Sequence, residues 1–156
     1  MGLHIRAYAE GDAQALRQVF HSSIHQVASR NYTAEQIAAW APAHVDAQEW
    51  AARMRGIRPF VAELAGQVAG YADLQPDGYI DHFYVAGHAG GQGVGRALME
   101  HIHQAASAHA IARLWSNVSL TAQPFFERAG FAIVERRLVT VRGATLANAR
   151  MQKFIA

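Results

Sequence analysis

The stretch VAGHAGGQGVGRALMEHI, residues Val85–Ile102, places five glycines (Gly87, Gly90, Gly91, Gly93 and Gly95) within nine positions and then turns into a helical pattern. Glycine loses the most conformational freedom on folding, so such a cluster needs a reason. Val94, Ala97, Leu98, Ile102 and Ala105 recur at the 3.6-residue period of an amphipathic helix, expected from about Gly93 to His109. The first N–H groups of a helix have no acceptor within it and point outward. The helix dipole adds about half a positive charge at the same end. A phosphate set there accepts several backbone hydrogen bonds, and bare glycines let it come close.

Outward from the loop, YIDHFYVA (Tyr79–Ala86) reads as a strand and ARLWSNV (Ala112–Val118) as another. Upstream, RPFVAEL and QVAGYADL form a hairpin about Ala65-Gly66, and Pro76-Asp77-Gly78 marks a turn. LHIRAY opens the chain as a strand, followed by a helix over about 12–28. Thr33-Ala-Glu-Gln36 matches a capping box ahead of a short helix through Ile37 and Trp40. Asp46-Ala-Gln-Glu49 is a weaker relative, starting a helix through Trp50 and Met54 that Gly56 closes. Downstream, a short helix over 121–129 ends at Gly130, and two strands pair around Gly143. The predicted order is β, three helices, three strands, helix, strand, helix and two strands. The implied fold is α/β, a mixed and mostly antiparallel central sheet with helices on both faces and one β-α-β crossover through the glycine loop, in one domain spanning 1–156.

Three other readings of the loop weaken on inspection. Gly90 and Gly95 have the spacing of a nucleotide-triphosphate loop, but Arg96 and Ala97 stand where lysine and a magnesium-binding hydroxyl belong. Gly91-Gln-Gly93 begins a dinucleotide fingerprint, but Arg96 replaces its third glycine. A plain surface turn does not account for five glycines set against a helix N-terminus.

Composition narrows the class. The 156 residues are 51% hydrophobic and 17% charged, ordinary for a globular chain. The net charge of +2 comes without a dense basic cluster, so nucleic acid is not an expected partner. No apolar run approaches the ~20 residues of a membrane span, and no signal-peptide pattern opens the chain. A cytoplasmic location without membrane partners is expected. There is no cysteine, which removes disulfides, thiolate metal sites and a thiol nucleophile. His21 and His25 are four apart, but no nearby carboxylate completes a metal site, so no metal is expected.

The loop resembles the acyl-CoA motif of the GNAT family, the Gcn5-related N-acetyltransferases. Val85 matches the end of the motif's strand, Gly93 and Gly95 its two small positions, and Leu98 its helix leucine. Phe125-Phe-Glu-Arg-Ala-Gly130-Phe131 resembles a second family signature. The order of elements follows the family over nearly the whole chain. NYTAEQIAAWAP is similar to one bacterial branch, the YafP-like proteins. The chain departs twice from the pattern. Gly90 sits where the motif carries Gln or Arg, and Phe126 sits where many members carry the tyrosine taken to protonate the departing thiolate.

The resemblance implies an enzyme that uses acetyl-CoA as co-substrate and passes the acetyl group directly to a primary amine. The loop residues Val85, Gly90, Gly91, Gln92, Gly93, Val94, Gly95 and Arg96 would hold the cofactor, with Gln92 or Arg96 standing in for the side chain missing at Gly90. Asn117, Thr121 and Phe125 are further contacts, and the backbone N–H near Val85 would receive the developing oxyanion at a splay between the fourth and fifth strands. A lysine-like amine at pH 7 costs about 4.6 kcal/mol to deprotonate, so a base is required. Asp81 and His82 are the candidates, with Tyr84 as a proton donor. Strand alternation puts Tyr79, Asp81 and Phe83 on one face and His82 and Tyr84 on the other. The acceptor, a small-molecule or peptide amine, is expected against the N-terminal helices around Ser22, Tyr32 and Trp40, and family members are often homodimers. A non-catalytic acyl-CoA sensor of the same fold is the alternative.

Overall fold

Short-range rules set most of the element boundaries. The computed structural model describes residues 2–155. Strand β1 (Leu3–Ala7) leads into helix α1 (Ala13–Gln26). Helix α2 (Ala34–Trp40) starts at the expected capping box, with the Thr33 and Gln36 side chains each bonded to the other's backbone. Helix α3 (Ala47–Ile57) starts where the Asp46 carboxylate accepts from the Gln48 and Glu49 N–H groups, a cap worth about 1 kcal/mol. Gly56 does not close α3, as the sequence suggested. It lies inside the helix, and Arg58 ends it in a left-handed conformation (φ 47°).

Strands β2 (Phe60–Leu64) and β3 (Gln67–Ala72) are joined at Ala65-Gly66, both with positive φ. The pair β6 (Ala132–Val141) and β7 (Ala144–Phe154) turns in the same way at Arg142-Gly143. Two-residue turns of this hand match the twist of the strands they join. Between the hairpins lie β4 (Phe83–Val85), α4 (Val94–Ala108), β5 (Arg113–Ser119) and α5 (Gln123–Arg128).

The fold is mixed α/β and mostly antiparallel, but the sheet divides. One sheet has the order β1-β2-β3-β4 and the other β5-β7-β6. The predicted continuous strand Tyr79–Ala86 is the reason. Its first part pairs with β5: Ile80 N–H donates to Trp115 O at 2.9 Å, and Trp115 N–H donates to Gly78 O at 3.1 Å. Its last part pairs with β3, Tyr84 opposite Tyr71 and Val85 opposite Gly70. Between them, Asp73 takes hold of His82: the carboxylate accepts His82 N–H at 2.6 Å, and Asp73 N–H donates to His82 O at 3.1 Å. The chain thus changes sheets within four residues, and β4 and β5 splay apart beyond that point.

Helices cover both faces of the first sheet. Gly70 lies under α4, where an added Cβ would meet Val94 Cγ1 at 2.9 Å and Leu98 Cδ1 at 3.3 Å. The next residue, Tyr71, points the other way, toward His82 and Tyr84. The main core joins Leu16 and Val19 of α1 to Val61, Tyr71, Leu98 and Ile102, all 3% exposed or less. A second cluster packs Ile24, Tyr32 and Ile37 on Leu146 of β7. Among the described residues no helix is long and apolar enough to cross a membrane.

Candidate functional site

The splay opens a cleft of about 210 Å³ between the end of β4 and the end of β5. Phe83, Tyr84 and Val85 form one wall, Ser119, Thr121 and Phe125 the other, and Ile24 and Trp40 approach from α1 and α2. Ala86 N–H donates to Ala69 O at 2.8 Å. By antiparallel alternation Tyr84 also bonds toward β3, so the N–H of Val85 points away from β3 and into the splay. A carbonyl oxygen in the cleft would find that donor unclaimed.

The cleft continues to the glycine loop through Gly95, which packs closely on the Phe125 ring: a Cβ there would crowd that ring at 3.3 Å. Gly95 therefore serves packing, whereas Gly90, Gly91 and Gly93 serve access. A Cβ at any of these three would meet nothing within 4 Å, and Gly91 and Gly93 have φ of 75° and 82°. Gly93 is the N-cap of α4 and supplies no side-chain cap, leaving the outward N–H groups at Val94, Gly95 and Arg96 for an outside acceptor. Open space, free donors and a positive dipole end fit a pyrophosphate. Arg96 lines a neighbouring groove with His103, Arg128 and Lys153. The start of the loop is fastened to α1, where Ser22 Oγ accepts Gly87 N–H at 3.0 Å.

A second chamber of about 430 Å³ lies on the α1 side of β4. Phe20, Trp40, Trp50 and Tyr84 give it aromatic walls, and Asp81, His82 and Arg53 supply polar atoms. Trp40 and Tyr84 line both chambers, so these two side chains stand where the chambers meet. Asp81 does not lie on the face opposite His82 and Tyr84, as alternation suggested. Residues 79–82 are not regular strand, and all three side chains line the same chamber. The Asp81 carboxylate receives Arg53 Nη2 at 3.2 Å and the Tyr79 hydroxyl at 3.4 Å.

Burial sets the ionisation of the neighbours. It pushes His82 down from 6.5 to about 4, with Asp81 and Arg53 acting in opposite directions. It pushes Asp73 up from 3.8 to about 6, against the hydrogen bonds from His82 N–H and Gln75 that favour its anion. Tyr84 is raised above its ordinary value by the same desolvation, so its phenol keeps its proton.

The other sequence candidates divide. Val85, Gly95, Thr121 and Phe125 line the cleft. Asn117 does not: its side-chain oxygen accepts from Arg150 Nε at 3.4 Å, and Ser119 takes the position by the cleft. Tyr32 is structural, donating to Ala147 O and accepting Leu120 N–H, and Ser22 holds the loop, so of the three acceptor-side residues only Trp40 reaches the chamber. His21 lines a separate groove and stacks on His25 at 3.9 Å, and His25 donates to Ala41 O. Among the described residues no group of three or more His, Asp or Glu is placed to hold a metal ion. Sequence reading missed Phe20, Trp50, Arg53, Tyr71 and Asp73. The one available signal was Asp73, a carboxylate within the apolar run of QVAGYADL.

Residues 28–153 match the family model described as an acetyltransferase (GNAT) domain. The chain is 33% identical to the Escherichia coli K12 protein named N-acetyltransferase YafP, over 96% of this chain and 95% of that one. A crystal structure from Rhodopseudomonas palustris, described as a GCN5-related N-acetyltransferase, superposes with a TM-score of 0.93 at 33% identity, covering 99% of this chain and 97% of that one. The PaiA N-acetyltransferase of Thermoplasma acidophilum, crystallised with coenzyme A, shares the fold at a TM-score of 0.76 and 15% identity, over 99% and 100% of the chains.

Proposed function

The chain belongs to the GNAT acetyltransferase family, and on that premise we propose that it moves an acetyl group from acetyl-CoA directly to a primary amine in the cytoplasm. The observation that carries this reading is the meeting of two chambers at Trp40 and Tyr84, one running to a bare helix N-terminus and the other bearing a carboxylate.

Acetyl-CoA supplies a thioester carbonyl. Gly90, Gly91, Gly93 and the first N–H groups of α4 hold the pyrophosphate. The apolar cleft walls exclude water from the acyl arm, and the N–H of Val85 holds the carbonyl oxygen as it gains charge. The amine enters from the aromatic chamber. Asp81 takes its proton, directly or through one water, while Arg53 keeps that carboxylate oriented. Phe126 is 2% exposed and has no hydroxyl. The proton for the departing sulfur comes instead from Tyr84, which lines both chambers and whose phenol carries its proton at neutral pH.

The test is a thermal-shift titration with acetyl-CoA, CoA and Mg-ATP, followed by detection of released thiol across an amine panel. A ligand at 100 times its Kd stabilises by about 2.7 kcal/mol. Stabilisation by acetyl-CoA alone or with CoA, and thiol release that depends on amine, is the expected result. Stabilisation by Mg-ATP instead would overturn the reading, as would acetyl-CoA binding without thiol release for any amine.

A further inference from the structure

The aromatic chamber holds a cation that the transfer chemistry does not use. Arg142 sits at the tip of the β6–β7 hairpin with φ 44°, a position where glycine, asparagine or aspartate is the ordinary choice. Its Nη1 donates to Ala39 O at 2.7 Å, next to the end of α2, which holds the guanidinium in the chamber wall. A guanidinium has five N–H donors in a fixed fork that matches a carboxylate. Among the described residues Arg142 has no carboxylate partner. Arg53, the other arginine of the chamber, is paired with Asp81. Glu49 also lines the chamber and, like Arg142, is exposed, but it stands within ion-pair distance of neither arginine.

The apolar walls are Phe20, Trp40, Trp50, Pro42, Val45 and Val141. A ligand complementary to this chamber has three parts: an amine for the Asp81 and Tyr84 end, an apolar body for the rings, and an anion for the free fork. We propose that the acceptor is a small amine that also carries a carboxylate, such as an amino acid with an apolar side chain, and that Arg142 selects it. This rests on the acetyl-transfer reading above. Arg142 acts on binding of the acceptor and takes no part in the transfer.

Two matched series test it: L-phenylalanine, L-phenylalaninamide and 2-phenylethylamine, and L-leucine, L-leucinamide and 3-methylbutylamine. In each series kcat/KM is compared at equal free-amine concentration. The wild type should favour the amino acid in at least one series by about tenfold, the scale of one charge-assisted pair. Arg142→Asn, a residue that tolerates the left-handed turn, should abolish that preference and leave acetyl-CoA affinity unchanged. Binding of N-acetyl-L-phenylalanine and N-acetyl-L-leucine to the CoA-loaded protein gives a second readout, and Arg142→Asn should weaken it. Equal rates within each series that Arg142→Asn does not alter would overturn the inference and leave acetyl transfer standing. Carboxylate-dependent product binding without turnover would uphold the inference and overturn acetyl transfer. Neither turnover nor product binding would overturn both.

Discussion

The Tyr71 hydroxyl lies 2.9 Å from His82 Nδ1, and both groups are buried. That hydroxyl has no other acceptor among the described hydrogen bonds. A buried O–H left without an acceptor costs about 1–3 kcal/mol, so it donates to Nδ1. His82 is therefore the tautomer with its proton on Nε2, and it is neutral at pH 7 because burial pushes its pKa to about 4. In this tautomer the Nδ1 lone pair is already taken by Tyr71 and Nε2 carries the proton, so the ring has no free lone pair for an amine proton, in keeping with the proposal that Asp81 accepts it. Imidazole nitrogen shifts in an NMR titration should show His82 unprotonated at Nδ1 and uncharged down to about pH 5. A protonated ring at pH 6 would sink this assignment.

His82 and Asp73 touch through a 2.6 Å hydrogen bond, and their shifts oppose each other. His82 is depressed from 6.5 to about 4, so its contribution to stability is present above pH 6.5 and is lost as pH falls toward 4. Asp73 is raised from 3.8 to about 6, so its contribution is present below pH 3.8 and is lost as pH rises through 6. Between pH 4 and 6 the two slopes nearly cancel. Relative to wild type, Asp73→Asn should make stability rise more steeply with pH in that window, and His82→Gln should make it fall. Urea denaturation of the three proteins at pH 4, 5 and 6 would detect the divergence, and parallel curves would count against both shifts.

Gly90 and Gly93 look alike in the sequence but are predicted to respond in opposite ways. Gly90 has φ −63° and ψ 146°, ordinary for any residue, and open space beyond its α-carbon. Gly90→Arg should fold normally and tighten CoA binding about threefold by adding a cation beside the pyrophosphate. Gly93→Asp adds an anion at the mouth of α4 and should weaken CoA by about tenfold or more, ~1.4 kcal/mol. Calorimetric titration measures both, and unchanged affinity in Gly93→Asp would remove the pyrophosphate from this loop.

Asp81 and Tyr84 are separable by what each chamber holds. Asp81 does not line the cleft. Asp81→Asn should lower kcat by about 10²-fold or more, the scale of general-base catalysis, with acetyl-CoA affinity intact.

Tyr84→Phe keeps the ring contact with Phe20 at 4.9 Å and removes only the hydroxyl. It too should lower kcat by about 10²-fold. The loss should be smaller for an acetyl thioester whose thiol is more acidic, because such a thiolate leaves without a proton. A loss independent of the leaving group would assign Tyr84 to packing.

The glycine loop, α4, both two-residue hairpins and the capping box at Thr33 were legible because each rests on contacts within a few residues. The break at 79–82 was not. Tyr79–Ala86 alternates well enough to pass for one strand, and only the long-range competition between Trp115 and Asp73 for its backbone divides it. That division moves Asp81 into the chamber with Tyr84, and Asn117 stands outside the cleft for a related reason: its partner Arg150 comes from β7, a strand distant in sequence. Arg53, Phe20 and Trp50 reach the site from helices whose packing angles no local pattern encodes.

The hydrogen bonds between Trp115 and the Gly78–Ile80 segment bind the two sheets like the spine of a book, with the cleft between β4 and β5 at the fore-edge. Gly78 has φ 87°, and a Cβ there would fall on the carbonyl oxygen of Arg113. It lines neither chamber, yet it governs how tightly the pages are bound. A molecule lodged between Val85 and Ser119 clasps the fore-edge, so amide exchange should slow together in β4 and β5 when it binds. Loosening the spine with Gly78→Ala should widen the opening and shorten the time the cofactor stays.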